Sequence, residues 1–178
     1  PYILQMLTQF MDCHLMLIGK NCGMKMKIKP NKKAPNFKLN STSLKTFDSS
    51  KLKSGLIIYF YPKDNTPGCT LETIDFSKLY KKFKGLKYEV VGVSKDNIKS
   101  HLGFKKRFKV PFHLLSDEKI QVQKKYGVWG MKSFMGNKFM GTIRSTVVIN
   151  GGKILKIWPN VRVKGHAQEV FNFVKSSK

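Results

Sequence analysis

Acidic residues are scarce in this 178-residue sequence: ten Asp and Glu stand against 34 Lys and Arg, a formal net charge of +24 with histidine neutral. Arginine is scarcer still, with only Arg107, Arg144 and Arg162, so the charge is almost wholly lysine dispersed along the chain. Sequence-specific nucleic-acid recognition is better served by clustered, arginine-rich stripes interleaved with aromatics. Dispersed lysine implies at most weak, salt-sensitive and nonspecific contact with polyanions, and it also fits a lysine-biased proteome. A run of about eighteen apolar residues is missing too, which argues against a spanning helix and a membrane partner. Even the opening PYILQMLTQFMDCHLMLIGK is broken by Gln5, Thr8, Gln9, Asp12 and His14. Cysteine is limited to Cys13, Cys22 and Cys69, an odd count at irregular spacing. That pattern argues against a disulfide framework and for a reducing compartment. The expected location is cytoplasmic, with an organelle or the nucleus as the alternative if the leader or the basic charge is a targeting signal.

What is present is the composition of a folded domain, with 41% hydrophobic and 12% aromatic residues. One compact α/β domain is expected. Composition shifts at GMKMKIKPNKK, dividing a leader at residues 1–33, expected to be poorly ordered, from a domain at 34–178 that opens with APNFKLNSTSL. The leader lacks the basic first region and small-residue cleavage site of a good signal sequence. It begins with Pro, which suits a fragment, a processed form or an extended reading frame, and Met24 or Met26 is a plausible start for the domain itself.

GLIIYFYP is a continuous apolar, β-branched and aromatic run closed by a proline, as expected of a strand buried on both faces. After Gly68, Leu71, Ile74, Phe76, Leu79, Tyr80 and Phe83 recur at helical spacing until Gly85. YEVVGVS reads as a second buried strand, and Asn97 to Phe108 as a basic helix ended by Val110-Pro111. FHLLSD reads as a short strand and EKIQVQKKYG as a short helix ending at Gly127. STVVIN and KILKIWP form a hairpin across Gly151-Gly152, and a last helix runs from about His166 to Val174. Strands alternating with helices, then a late hairpin and a terminal helix, give a mixed central β-sheet flanked by helices on both faces, the thioredoxin-like arrangement.

Within that frame Cys69 falls in the first turn of a helix. A thiolate rather than a thiol is the nucleophile, and the unpaired N–H groups and dipole of a helix N-terminus favour the anion. Attack on a peroxide bond also needs donors that align both oxygens and stabilise charge on the departing one. Thr66 offers a hydroxyl. Pro62 and Pro67 stiffen and shield the loop, and Gly68 allows close backbone approach. A cation that cannot lose its proton is the natural second partner, and Arg144 leads into a predicted core strand.

Pro62, Thr66 and Cys69 form P-x-x-x-T-x-x-C, which matches the peroxiredoxin active-site motif. With IYFYPKDNTPGCTLE, LLSD, YGVWG, KSFMG, the Arg144 strand and VKGHAQEV, residues 33–178 resemble the bacterioferritin-comigratory-protein or PrxQ branch of that family. The resemblance implies a thioredoxin-like fold and a thiol peroxidase reducing hydrogen peroxide and organic hydroperoxides, with no metal, haem or other cofactor. It implies that Cys69 is the peroxidatic cysteine, that Thr66, Arg144 and the backbone N–H of Cys69 bind and polarise the peroxide, and that Pro62 covers the pocket. Many members carry a resolving cysteine five residues after the peroxidatic one. Here that residue is Ile74, and NIKSHLGFKKRF, where some relatives place the thiol, has none. A one-Cys enzyme is therefore expected, a monomer or weak homodimer. Its sulfenic acid would be reduced by thioredoxin, glutaredoxin or glutathione rather than by a second subunit or by Cys13 or Cys22.

Plainer readings stand beside these. A lone cysteine is most often a small buried hydrophobe, and that reading is kept for Cys13 and Cys22. Thr66 could be an N-cap, which is compatible with the other role. Arg144 could make a structural salt bridge, for which Glu72 is the candidate partner. Cys13, His14 and Cys22 lack paired metal-ligand spacing, and His101, His113 and His166 are scattered. Trp129, Trp158 and the set MKSFMGNKFM suit core or interface packing, with KSFMG shaping the rim of the site. Two other functions compete: a lysine-rich nucleic-acid-associated protein on the same scaffold, and a thiol–disulfide oxidoreductase. The second is disfavoured because Thr66 stands where a C-x-x-C protein has its other sulfur.

Overall fold

The computed structural model describes residues 26–177 of the chain. Nine strands and four α-helices alternate along it: β1 (Lys38–Ser41), β2 (Thr46–Asp48), β3 (Gly55–Phe60), α1 (Pro67–Gly85), β4 (Tyr88–Ser94), α2 (Ile98–Arg107), β5 (His113–Ser116), α3 (Gln121–Tyr126), β6 (Trp129–Phe134), β7 (Asn137–Thr142), β8 (Ser145–Asn150), β9 (Lys153–Trp158) and α4 (His166–Ser176). The main sheet has the order β2-β1-β5-β4-β3-β8-β9, and β6 pairs only with β7.

β3 is the axis of the fold. Every residue of GLIIYF is buried, as its unbroken apolar run requires. It runs parallel to β4 on one side and antiparallel to β8 on the other. Strand alternation splits its side chains between two cores. Ile57, Tyr59 and Tyr61 join Phe76 and Phe83 of α1, Phe104 of α2 and Val170 and Val174 of α4. Leu56, Ile58 and Phe60 join Val122 and Tyr126 of α3 with Ile28, Ala34 and Phe37. The expected mixed sheet, covered by helices on both faces, is therefore the thioredoxin-like α/β fold. Each large side chain fully buried in these layers contributes about 1.5–3 kcal/mol.

β4 admits α1's partner tyrosine through Gly92, where a Cβ would lie 2.6 Å from Tyr59 Oη. Tyr59 then stacks on Phe76 at 4.9 Å between ring centroids and exchanges a 3.0 Å hydrogen bond with Thr73 on α1. This pins the first half of α1 onto β3, and so fixes where Cys69 stands.

Some sequence expectations need adjustment. Ile28 is buried in the core, and Asn31, Lys32 and Lys33 bond or pair with β9 through Ile154 and Lys153, so the packed chain includes residues that a boundary at 33/34 assigns to the leader. Cys13, His14 and Cys22 lie outside the described residues. Leu71, which keeps helical spacing with the other apolar residues of α1, is 46% exposed, while Glu72 and Thr73 face inward. The stretch MKSFMGNKFM is not core: it is the β6–β7 hairpin, and Met131, Met135, Phe139 and Met140 are all exposed. Its tip is a two-residue turn with positive φ at both Met135 and Gly136. Trp158 is buried as expected.

Candidate active site

β3 ends at Phe60, Tyr61 continues its pairing by donating to Val93 O, and the chain then crosses the sheet edge through Pro62–Thr66 into α1. Asn65 has a φ of 58° in this crossing, a left-handed conformation that Asn tolerates better than most residues. Pro67 occupies the first helical position, where a missing N–H costs nothing and the fixed φ suits the helix. Thr66 is the N-cap by backbone geometry, yet its side chain makes no cap bond. Thr66 Oγ1 donates back to Lys63 O at 3.0 Å. The hydroxyl therefore keeps its acceptor lone pairs, and the N–H groups of Gly68 and Cys69, which have no intrahelical acceptor at this end, stay available.

Cys69 is buried, with 1% exposure, at the third position of α1. Glu72 follows three residues later on the same helical face and is equally buried. Arg144, in the short link between β7 and β8, reaches both. Its Nη2 donates to Cys69 Sγ at 3.3 Å and its Nη1 donates to Glu72 Oε2. One planar fork thus spans a carboxylate and a sulfur, a geometry that lysine cannot reproduce. Glu72 Oε1 has no hydrogen-bond partner among the described residues.

The electrostatics follow from burial. Loss of solvent pushes the Glu72 carboxyl up to about 7, although the charge and hydrogen bond of Arg144 pull it down. Burial works to lower Arg144, but the charges of Glu72 and Cys69 more than offset it and hold the guanidinium above its ordinary value. Arg144 therefore remains a fixed cation beside the sulfur. Lys132 of β6 is a second cation in the neighbourhood. Its ammonium donates to Thr142 O at 3.0 Å, and it is lowered first by burial and then by Arg144, with Cys69 opposing.

Three of the four residues named from sequence are thus gathered at one end of α1. Cys69 and Arg144 are in direct contact, and Thr66 caps the same helix. Pro62 sits half-buried at the start of the crossing loop. Glu72, expected only as a salt-bridge partner of Arg144, is that partner. Sequence reasoning missed Lys132, whose only signal was its place in the stretch assigned to packing. It also missed a buried polar cluster behind the loop: Asp64, between Pro62 and Thr66, accepts hydrogen bonds from Tyr61 and Ser100 and pairs with His101.

Such an arrangement holds a buried sulfur against a permanent cation at a helix N-terminus, with a hydroxyl and free N–H groups beside it. It can stabilise a thiolate and a leaving oxygen at the same place. Comparison with known proteins points the same way. The AhpC/TSA family matches residues 30–157. A putative peroxiredoxin bcp from Coxiella burnetii is 40% identical over 147 residues, spanning 82% of this chain and 97% of that protein. Peroxiredoxin Bcp of Bacillus subtilis is 37% identical over 152 residues, spanning 84% and 97%. Among solved structures, a PrxQ mutant from Xylella fastidiosa superposes with a TM-score of 0.81 at 32% identity, covering 87% of this chain and 99% of that one. The bacterioferritin comigratory protein of Xanthomonas campestris, studied for its alkyl peroxide reduction activity, gives 0.75 at 32% identity and 79% and 91% coverage.

Proposed function

The chain belongs to the AhpC/TSA family and groups within it with the Bcp and PrxQ peroxiredoxins, so it is a thiol peroxidase acting on hydroperoxides with a thiol reductant, and we propose that Cys69 is its peroxidatic sulfur. The observation that carries this reading is the 3.3 Å hydrogen bond from Arg144 Nη2 to Cys69 Sγ at the N-terminus of α1.

In the proposed reaction the Cys69 thiolate attacks the terminal oxygen of ROOH. The S–O bond forms as the O–O bond breaks, sulfur is oxidised to the sulfenic acid, and the departing RO⁻ takes a proton to leave as ROH. Thr66 Oγ1, donating to Lys63 O, presents its lone pairs to the peroxide O–H, and the Cys69 N–H and Arg144 donate to the oxygens that gain charge. Pro62 walls the loop side of the site and limits water. An incoming thiol then condenses with the sulfenic acid, releasing water and forming a mixed disulfide, and a second thiol restores Cys69.

Cys69 is the only cysteine among the described residues. Ile74 stands five residues after Cys69 and the stretch 97–108 has no cysteine, which supports a one-Cys cycle fed by an external thiol, thioredoxin, glutaredoxin or glutathione. The alkyl peroxide activity of the Xanthomonas campestris relative supports organic hydroperoxides beside hydrogen peroxide as substrates. Peroxide consumption by wild type and Cys69→Ser, each supplied in turn with thioredoxin, glutaredoxin or glutathione, tests the reading. Turnover confined to wild type with one of the three reductants supports it; equal turnover by the serine variant refutes it.

A further inference from the structure

Behind the loop that bears Pro62 and Thr66 lies a buried polar cluster that plays no part in the proposed chemistry. Asp64 is 5% exposed, and His101 is fully buried. The Asp64 carboxylate accepts from Tyr61 Oη at 2.7 Å and from Ser100 Oγ at 2.7 Å, and pairs with His101 Nδ1 at 2.8 Å. His101 Nε2 faces Leu115 O at 3.2 Å, so the ring is held from both of its nitrogens, by Asp64 on one side and by β5 on the other. The Asp64 N–H donates to Asp96 Oδ2 at 2.9 Å, and Asp96 in turn accepts from Ser94 Oγ at 2.7 Å. One residue of the crossing loop is therefore tied, through backbone and side chain, to the end of β3, the end of β4, the first turn of α2 and β5.

This tie is placed where the loop most needs it. Asn65 is left-handed and Thr66 returns to extended geometry within one residue, a turn with no regular hydrogen-bond ladder to hold it. A carboxylate with three partners in a buried site is also a strong anchor. Although burial raises the Asp64 carboxyl, its bond to His101, the charge attraction to that ring and the donors Ser100 and Tyr61 outweigh burial and hold it below its ordinary value.

We infer that Asp64 and His101 are positioning residues for the peroxide step: their pair fixes the turn at Asn65, and through it the place of the Thr66 hydroxyl and Pro62 relative to Cys69. The inference rests on the assignment of Cys69 as peroxidatic. It requires the pair to act on peroxide alignment rather than on the sulfur's intrinsic reactivity, because Arg144 and Glu72, not Asp64, touch the Cys69 side of the site.

The test compares two reactions of the same sulfur. Hydrogen peroxide needs the aligned Thr66, whereas iodoacetamide needs only an accessible thiolate. In Asp64→Asn, the rate of Cys69 with hydrogen peroxide is expected to fall about tenfold or more, as a small misalignment of reacting groups does, while alkylation of folded protein changes less than about twofold. His101→Asn, whose amide can still donate to Asp64, is expected to keep more of the peroxide rate than His101→Leu. Ser100→Ala, which removes one donor to Asp64 from the half-buried first turn of α2, gives the same selective loss at smaller size should the Asp64 variant not fold. Parallel loss in both reactions, no loss in either, or equal rates for the two His101 variants overturns the inference while leaving Cys69 peroxidatic. A wild-type sulfur that reacts with peroxide no faster than a free thiol overturns both.

Discussion

Arg144 and Cys69 meet at 3.3 Å, guanidinium to sulfur, although they are 75 residues apart. The contact depends on three separate local facts: β3 delivers the chain to the start of α1, α1 begins at Pro67, and β8 lies beside β3 so that the residue before it faces the same helix end. None of the three is conspicuous alone.

Replacing Arg144 with lysine keeps the charge but loses the fork. A single ammonium cannot donate to Glu72 Oε2 and Cys69 Sγ along the directions that the two Nη atoms serve. Arg144→Lys is expected to slow peroxide reduction by roughly a hundredfold, the usual cost of one lost donor at a developing charge. Stopped-flow oxidation under single-turnover conditions measures it.

Glu72 gives the fold a definite pH signature. Burial raises its carboxyl from 4.5 to about 7, so between those values the folded chain holds a proton that the unfolded chain has released. Its contribution is complete below pH 4.5 and is lost as the pH rises through about 7. Urea midpoints taken across that window are expected to decline less steeply with pH in Glu72→Gln than in wild type.

His166 has the opposite sign. Burial, with Arg144 assisting and Glu169 opposing, lowers it from 6.5 to about 4, and its ring nitrogen shares a 2.8 Å hydrogen bond with Thr146. Here the unfolded chain binds the extra proton, so the contribution is present above pH 6.5 and lost as the pH falls through about 4. His166→Gln, compared with wild type by the same midpoints, is expected to lose that acid limb.

The core supporting Cys69 is expected to be sensitive to Phe76. This ring is fully buried, stacks on Tyr59 and lies near Phe83 and His166. Phe76→Ala should cost about 3–5 kcal/mol by leaving a cavity between α1 and β3, read from equilibrium denaturation.

Much of this was visible in the sequence because a single local cause dominated. GLIIYF is buried on both faces and reads as such, and Gly151-Gly152 both take positive φ between β8 and β9. Cys69, Thr66 and Arg144 stood out because their chemistry is intelligible at short range. β6 and β7 did not, because the hairpin leaves both faces largely open and its apolar residues do not follow core periodicity. Leu71 keeps helical spacing yet stands exposed, because the inward face of α1 carries Glu72 and Thr73, which meet Arg144 and Tyr59. Asp64 and His101 are 37 residues apart, and only the parallel pairing of β3, β4 and β5 brings them together.

The most direct measurement is a single-turnover competition within the chain. Reduced protein is mixed with one equivalent of hydrogen peroxide, quenched over milliseconds to seconds, and Cys13, Cys22 and Cys69 are read separately by mass after sulfenic-acid trapping. Cys69 is expected to be oxidised first and nearly alone, at a rate far above that of a free thiol. Oxidation shared among the three cysteines at free-thiol rates would contradict the assignment of Cys69 and of the Arg144 contact that supports it.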